Sequence, residues 1–226
     1  MASSLGRILG AALVSMSLST VAIAGPLTTD AAALPSWKGS TPFSGTNAGL
    51  THTVDAIVDF AVYAPGNFSL SAALGNPTDI SGGTQYIYAY EVFRQGLDAD
   101  ISSLSISLVP GAVPDNTTLV GHDPTTPEGG VAPISSNFVP GGIAPKLNVR
   151  WNFIPAMAGS NHSDILFFAS PFGPQMLQAT VGGTFTTAAM ASLPTPIPEP
   201  GTWVLMAAGL CSLFALRPRR RRQIEN

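Results

Sequence analysis

Residues 85–93 read Gln-Tyr-Ile-Tyr-Ala-Tyr-Glu-Val-Phe. In an extended chain Tyr86, Tyr88, Tyr90 and Val92 fall on one side, and Ile87, Ala89 and Phe93 fall on the other. The period is two, which makes the stretch a strand, and two apolar faces mean that both sides of it are expected to be covered. The same period appears upstream, where Val54, Ala56, Val58, Phe60 and Val62 share one face and Thr53, Asp55 and Asp59 the other. Downstream, Leu104, Ile106 and Leu108 alternate with Ser103, Ser105 and Ser107, and Leu147, Val149, Trp151 and Phe153 alternate with Lys146, Asn148, Arg150 and Asn152. These patterns predict half-buried strands.

Ile165–Ala169 is continuously apolar and suits a strand inside a sheet. Gln178–Val181 with Thr184–Thr186 reads as a last strand broken by Gly182 and Gly183. Residues 109–145 are too rich in Pro and Gly for a central strand and read as one long connection. At least six strands without a helical stripe between them predict an all-β fold, an antiparallel β-sandwich. The body, residues 25–193, is long enough to bury a core of its own.

The ends have a different character. Residues 1–24 hold one charge, Arg7, then an apolar stretch from Ile8, then Ala22-Ile23-Ala24, a small-x-small cleavage site, so they read as a secretory signal peptide cut before Gly25. An uncleaved anchor fits less well, because Ser15, Ser17, Ser19 and Thr20 dilute the second half of the stretch. At the other end, residues 194–226 carry Pro198-Glu199-Pro200, then an uncharged run from Trp203 to Leu216, then Arg217, Arg219, Arg220, Arg221 and Arg222. Fourteen residues make a helix of roughly 21 Å, short against a hydrocarbon core of about 30 Å. A buried core helix of that length does not normally end in a block of like charge, whereas a membrane helix ending in the cytoplasm does.

These three adjoining parts resemble the PEP-CTERM sorting signal of bacterial surface proteins. The resemblance covers about thirty of 226 residues, with Gly201 where the family often has Ser and Pro218 interrupting the Arg run. It implies that Pro198, Glu199 and Pro200 are recognised by an exosortase, a membrane-embedded cysteine transpeptidase-like protein. It also implies that Trp203–Leu216 is a single membrane helix and that the five Arg are its cytoplasmic anchor. The strands at 86–93, 102–108 and 149–153 and the segment Asp164–Pro174 are similar to bodies seen in exported proteins of this kind, a likeness that carries no activity.

Charge and chemistry narrow the function classes. Residues 25–197 hold four basic side chains, Lys38, Arg94, Lys146 and Arg150, against eleven acidic ones, a net charge of −7. An acidic body does not bind nucleic acid through phosphate contacts. The single Cys, Cys211, lies in the apolar run, so no internal disulfide exists. His52, His122 and His162 are too far apart in sequence for a short-range ligand pair, and no Gly-x-Ser-x-Gly elbow occurs.

Glu91 and Glu128 are the only Glu of the body, and nothing in the sequence singles out an Asp partner for a glycosidase pair. Asp98-Ala99-Asp100 offers alternate carboxylates for Ca²⁺, but without an EF-hand loop it reads as a capped turn. Three Asn-x-Ser/Thr sites, at Asn67, Asn116 and Asn161, are expected to be unmodified. The Gly pairs read as turns.

The expected function is therefore a non-catalytic surface or extracellular-matrix protein, with no catalytic residues, metal or cofactor. It is exported, anchored in the inner membrane with its body on the periplasmic side, then processed by an exosortase and delivered to the cell surface or matrix, with exopolysaccharide as a candidate partner. The alternative is a secreted carbohydrate-binding or weakly carbohydrate-active β-sandwich protein, in which Tyr86, Tyr88, Tyr90 or Trp151 would serve as stacking platforms.

Overall fold

A computed structural model describes residues 25–109, 119–124, 130–140, 147–159 and 161–198. The predicted signal peptide and the segment from Glu199 onward, including the expected membrane helix and its arginines, lie outside the described residues.

The body forms two five-stranded antiparallel sheets. The first contains β1 (Lys38–Thr46), β2 (Thr53–Tyr63), β3 (Tyr86–Arg94), β8 (Ile165–Ser170) and β5 (Val120–Asp123), in that order. The second contains β10 (Ala188–Pro196), β9 (Pro174–Gly183), β4 (Ile101–Leu108), β7 (Leu147–Met157) and β6 (Ser135–Pro140). The sheets face each other across one core. Val54, Ala56, Val58, Phe60 and Val62 of β2 and Tyr88, Tyr90 and Val92 of β3 meet Leu104, Ile106 and Leu108 of β4 and Val149, Trp151 and Phe153 of β7. Each of these faces is one phase of a period-two pattern, so the predicted alternation settles which side chains point inward.

Trp151 is fully buried at the centre and packs against Tyr90 and Phe168, with ring centroids 6.1 and 6.3 Å away. Its indole nitrogen donates to the carbonyl of Gly121 at 3.1 Å, which ties β7 of one sheet to the edge strand β5 of the other. Arg150 points outward, as the alternation predicts.

β3 is covered on both faces, as expected. Ile87 and Ala89 join a second cluster on the outer side of the first sheet, with Tyr63, Ile165, Phe167 and Ala169. Its lid is Leu27 from the short helix α1 (Pro26–Thr29), together with Ala33, Phe68 and Leu74. One buried acid under this lid is fully engaged. Asp30, buried, accepts from the Tyr63 hydroxyl at 2.7 Å, from the Ser71 hydroxyl and from the Ala32 amide at 2.9 Å. Burial and the neighbouring Asp30 push the Tyr63 phenol far up, so it remains a donor.

The structure corrects the sequence reading in three places. Residues 109–145 are not one connection, because β5 and β6 lie within them. The last strand is not broken at Gly182–Gly183: β9 runs unbroken from Pro174 to Gly183, and residues 184–187 form the turn into β10. Finally, β1 and β10 are additional strands, and β10 continues to Pro196, pairing Pro194 with Met176 and Pro196 with Pro174. The four unforeseen strands, β1, β5, β6 and β10, are the four sheet edges. Edge strands tolerate Pro because one side of their backbone makes no ladder bonds, which accounts for Pro42, Pro140, Pro194 and Pro196.

Edges β1 and β10 approach each other and close one side of the sandwich, where the Thr41 hydroxyl donates to the Ser192 carbonyl at 3.4 Å. A Cβ at Gly45 would land on the carbonyl oxygen of Ala188. That atom is backbone and has no rotamer to yield, so Gly45→Ala is expected to cost about 1–3 kcal/mol. Chemical denaturation of the purified protein, read at its midpoint, measures the loss.

Candidate functional site

Two regions carry chemistry: the place where the tail leaves the body, and a polar row on the outer face of the first sheet.

The tail leaves from an edge. The peptide nitrogen of Ile197 donates to the Gly173 carbonyl at 3.2 Å, and Pro194, Thr195 and Pro196 are buried just before it. The hydroxyl of Tyr90, deep in the core, donates to the Pro194 carbonyl and ties the end of β10 to the first sheet. Burial raises that phenol well above its ordinary range, so it keeps the proton it donates to this carbonyl. Pro198 is half-buried and follows the last strand residue by two positions. The three-residue motif predicted from the sequence therefore begins almost at the folded surface, while Glu199 and Pro200 lie outside the described residues, as do Trp203, Leu216, Arg217, Arg219, Arg220, Arg221 and Arg222. Ala22 and Ala24 also lie outside. Among the described residues no helix is long and apolar enough to cross a membrane.

The outer polar row is built by strand register. Ser40 of β1 pairs with Asp59 of β2, and Asp59 pairs with Glu91 of β3, so three adjacent strands place them side by side on the face away from the main core. Asp59 and Glu91 are 1 % and 2 % exposed. Asp59 accepts from the Ser40 hydroxyl and from the Gly25 nitrogen, the latter at 2.7 Å. Burial pushes its carboxyl above the ordinary range, and those two hydrogen bonds only partly counter the effect.

Glu91 lies 2.7 Å from Nδ1 of His162, whose ring stacks on Phe93 with centroids 5.4 Å apart. One strand further, Nδ1 of His122 lies 2.8 Å from the buried carboxylate of Asp164. His122 also lines a cleft of about 330 Å³ with Asn76, Pro77, Thr78, Ile80, Asp123 and Phe167.

The sequence offered no Asp partner for Glu91, yet register supplies one 32 positions upstream. The available signal was an acid on the second face of each of two strong strands, whose pairing was unknown. A glycosidic bond could not reach this pair, because α1 and Phe93 cover it: a Cβ built on Gly25 would stand 2.6 Å from Glu91 Oε2, 2.8 Å from Phe93 Cζ and 3.1 Å from Asp59 Oδ2.

Asp98 and Asp100, the calcium candidates, are engaged locally. Asp98 accepts from the Thr53 amide at 2.6 Å and pairs with His52 at 2.8 Å, and the His52 and Thr53 hydrogen bonds hold its carboxyl below the ordinary range. Asp100 pairs with the buried Arg94 at 3.1 Å. Among the described residues no group of three His, Cys, Asp or Glu is placed to hold a metal ion.

The aromatic residues considered as stacking platforms are mostly inside. Tyr88, Tyr90 and Trp151 are buried, and the partly buried Tyr86 lines a shallow cleft with Pro171, Phe172 and Gly173. No groove with three exposed rings exists in this set.

Comparison with known proteins bears on the tail. Residues 196–221 match the PEP-CTERM protein-sorting motif, a stretch that starts on the last residue of β10 and takes in Pro198, Glu199 and Pro200. No curated protein and no solved structure matches the chain. The motif implies an exported protein sorted through an exosortase.

Proposed function

We propose that this protein is a non-catalytic component of the cell surface or extracellular matrix. Its β body is displayed on the outer side of the inner membrane while the tail holds it there, and it is released to the surface when an exosortase processes that tail. The observation that carries the reading is the sorting motif beginning at Pro196, directly on the last strand, so that the whole folded body precedes it as cargo. An apolar run of marginal length followed by five arginines suits a temporary anchor, since positive charge holds the cytoplasmic end of a short span.

The non-catalytic part is supported by how the titratable groups are used. His52, His122 and His162 each pair with a carboxylate, and the adjacent acids Asp59 and Glu91 lie beneath packed chain.

Fractionation of native cells, with mass determination of both mature termini, tests the sorting half. The expected result is a body in the surface or matrix fraction with a shortened C-terminus, and a full-length chain found only in the cytoplasm overturns it. For the non-catalytic half, the purified mature protein is expected to show neither stoichiometric Ca²⁺ or Zn²⁺ binding by calorimetry nor turnover of polysaccharide, ester or peptide substrates. Sub-micromolar metal binding, or turnover lost on changing Asp98, Asp100, Glu91 or His162, contradicts that half.

A further inference from the structure

Gly25 occupies an unusual position for a residue near the start of a chain. Its nitrogen is buried and donates to Asp59 at 2.7 Å, and its Cα faces the Glu91 carboxylate so closely that any side chain would collide with it. The following residues hold it there: Leu27 is fully buried in the outer cluster, and the Thr28 hydroxyl donates to the Gly25 carbonyl at 3.0 Å.

Two nearly fully buried carboxylates, directly opposite on neighbouring strands, repel each other when ionised. Among the described residues, the groups facing them include the Ser40 hydroxyl from β1, His162 from the segment before β8, and the Gly25 nitrogen from the residue before α1. While Gly25 is joined to Ala24, that nitrogen is a neutral amide. The raised Asp59 carboxyl belongs to this state: a folded pKa above the unfolded one favours the fold at low pH and weakens it as pH rises through the folded value. A positive charge at the Gly25 nitrogen would remove that penalty at neutral pH.

We propose that the chain is cut between Ala24 and Gly25 and that the new α-ammonium of Gly25 becomes the buried counter-ion of Asp59 and Glu91. The inference rests on the reading of the protein as exported with a removable leader. The cut is a hydrolysis by a leader peptidase. Water adds across the Ala24–Gly25 peptide bond, Ala24 leaves with the carboxylate, and Gly25 keeps the nitrogen, which takes up a proton. The ammonium then has a carboxylate within hydrogen-bond reach without movement of the body, since the nitrogen already lies on Asp59 Oδ2. Leader removal thereby completes the outer layer of the first sheet. A Cβ at the new terminus would stand 2.6 Å from Glu91 Oε2 and 2.8 Å from Phe93 Cζ, so Gly is the residue that fits there without displacing either side chain.

The test uses protein exported and matured from the full-length chain. Mass spectrometry identifies its first residue. The protein is then reductively methylated with formaldehyde and cyanoborohydride near neutral pH, folded and in guanidinium, and the N-terminal peptide is quantified with the lysine-bearing peptides as internal reference. The expected result is Gly25 as the first residue, with its amine modified at least about tenfold more slowly in the folded protein than in the unfolded one. In Asp59→Asn, which keeps the side-chain shape, the protection should fall.

A first residue other than Gly25 overturns the leader reading and this proposal with it. Gly25 in first place but modified equally fast in both states leaves leader removal standing and overturns the ion pair. Protection unchanged in a folded Asp59→Asn protein removes Asp59 as the counter-ion and also overturns it. Should that variant not fold, the comparison on the unaltered protein decides alone.

Discussion

Replacing Pro198, Glu199 and Pro200 together by alanine is expected to leave export intact and to trap a full-length, membrane-held form. The three side chains do not contribute to the paired part of β10, which ends at Pro196, so the body folds as before. The substitution removes two fixed φ angles and a carboxylate from the stretch that an exosortase must read in extended form. The apolar run and its arginines are unchanged, so membrane retention persists while processing stops. The measurement is the distribution and mass of the protein in membrane and surface fractions. A triple variant that is released and shortened like the parent contradicts sorting through this motif. Neutralising Arg217, Arg219, Arg220, Arg221 and Arg222 should act differently, loosening the stop and shifting the chain out of the membrane fraction before processing.

Trp151→Ala is expected to destabilise the body by about 3–5 kcal/mol, a large share of the roughly 5–15 kcal/mol that holds a domain of this size folded. The indole is fully buried between the sheets and contacts Tyr90 and Phe168, and its nitrogen supplies the Gly121 carbonyl on the opposite sheet with a donor. Removing it leaves a cavity at the centre of the core and an unpaired carbonyl at the edge strand β5, two losses that do not compensate each other. Denaturant unfolding followed by far-ultraviolet circular dichroism reads the change without needing the lost fluorophore. In the parent protein, with Trp37 and Trp203 replaced, Trp151 should emit as an indole shielded from water. A loss below about 1 kcal/mol, within the range of an ordinary surface substitution, would mean that the indole is not the keystone of the two sheets.

The central strands were legible from their apolar residues: β2, β3, β4 and β7 repeat them at every second position on the inner face, β8 is apolar and buried throughout, and β9 shows its inner face at Ala179 and Val181. The edges were not. β1 buries Phe43 as its one large apolar side chain, β5 has four residues, and β6 and β10 carry prolines, so none shows the alternation by which a strand is recognised. An edge needs only one partner and one covered face. Its sequence is therefore freer, and it comes to resemble a loop. The alternative with aromatic stacking platforms was not decidable from sequence either: Tyr88 and Tyr90 share one face in a sandwich or in a sugar-binding groove, and only the second sheet, with Trp151 against Tyr90, places them in a core.

By itself the sequence determined the sorting address and the all-β character of the body, because both are local. A motif of adjoining residues needs no partner to be read, and period two is set by backbone geometry within a single strand. The tertiary structure alone decided that Asp59 and Glu91 meet, that Gly25 caps them, and that the sorting motif starts where an edge strand stops. The physical reason is that pairing register joins residues far apart in the chain, and the α1 segment that buries the outer face has no periodicity to announce it.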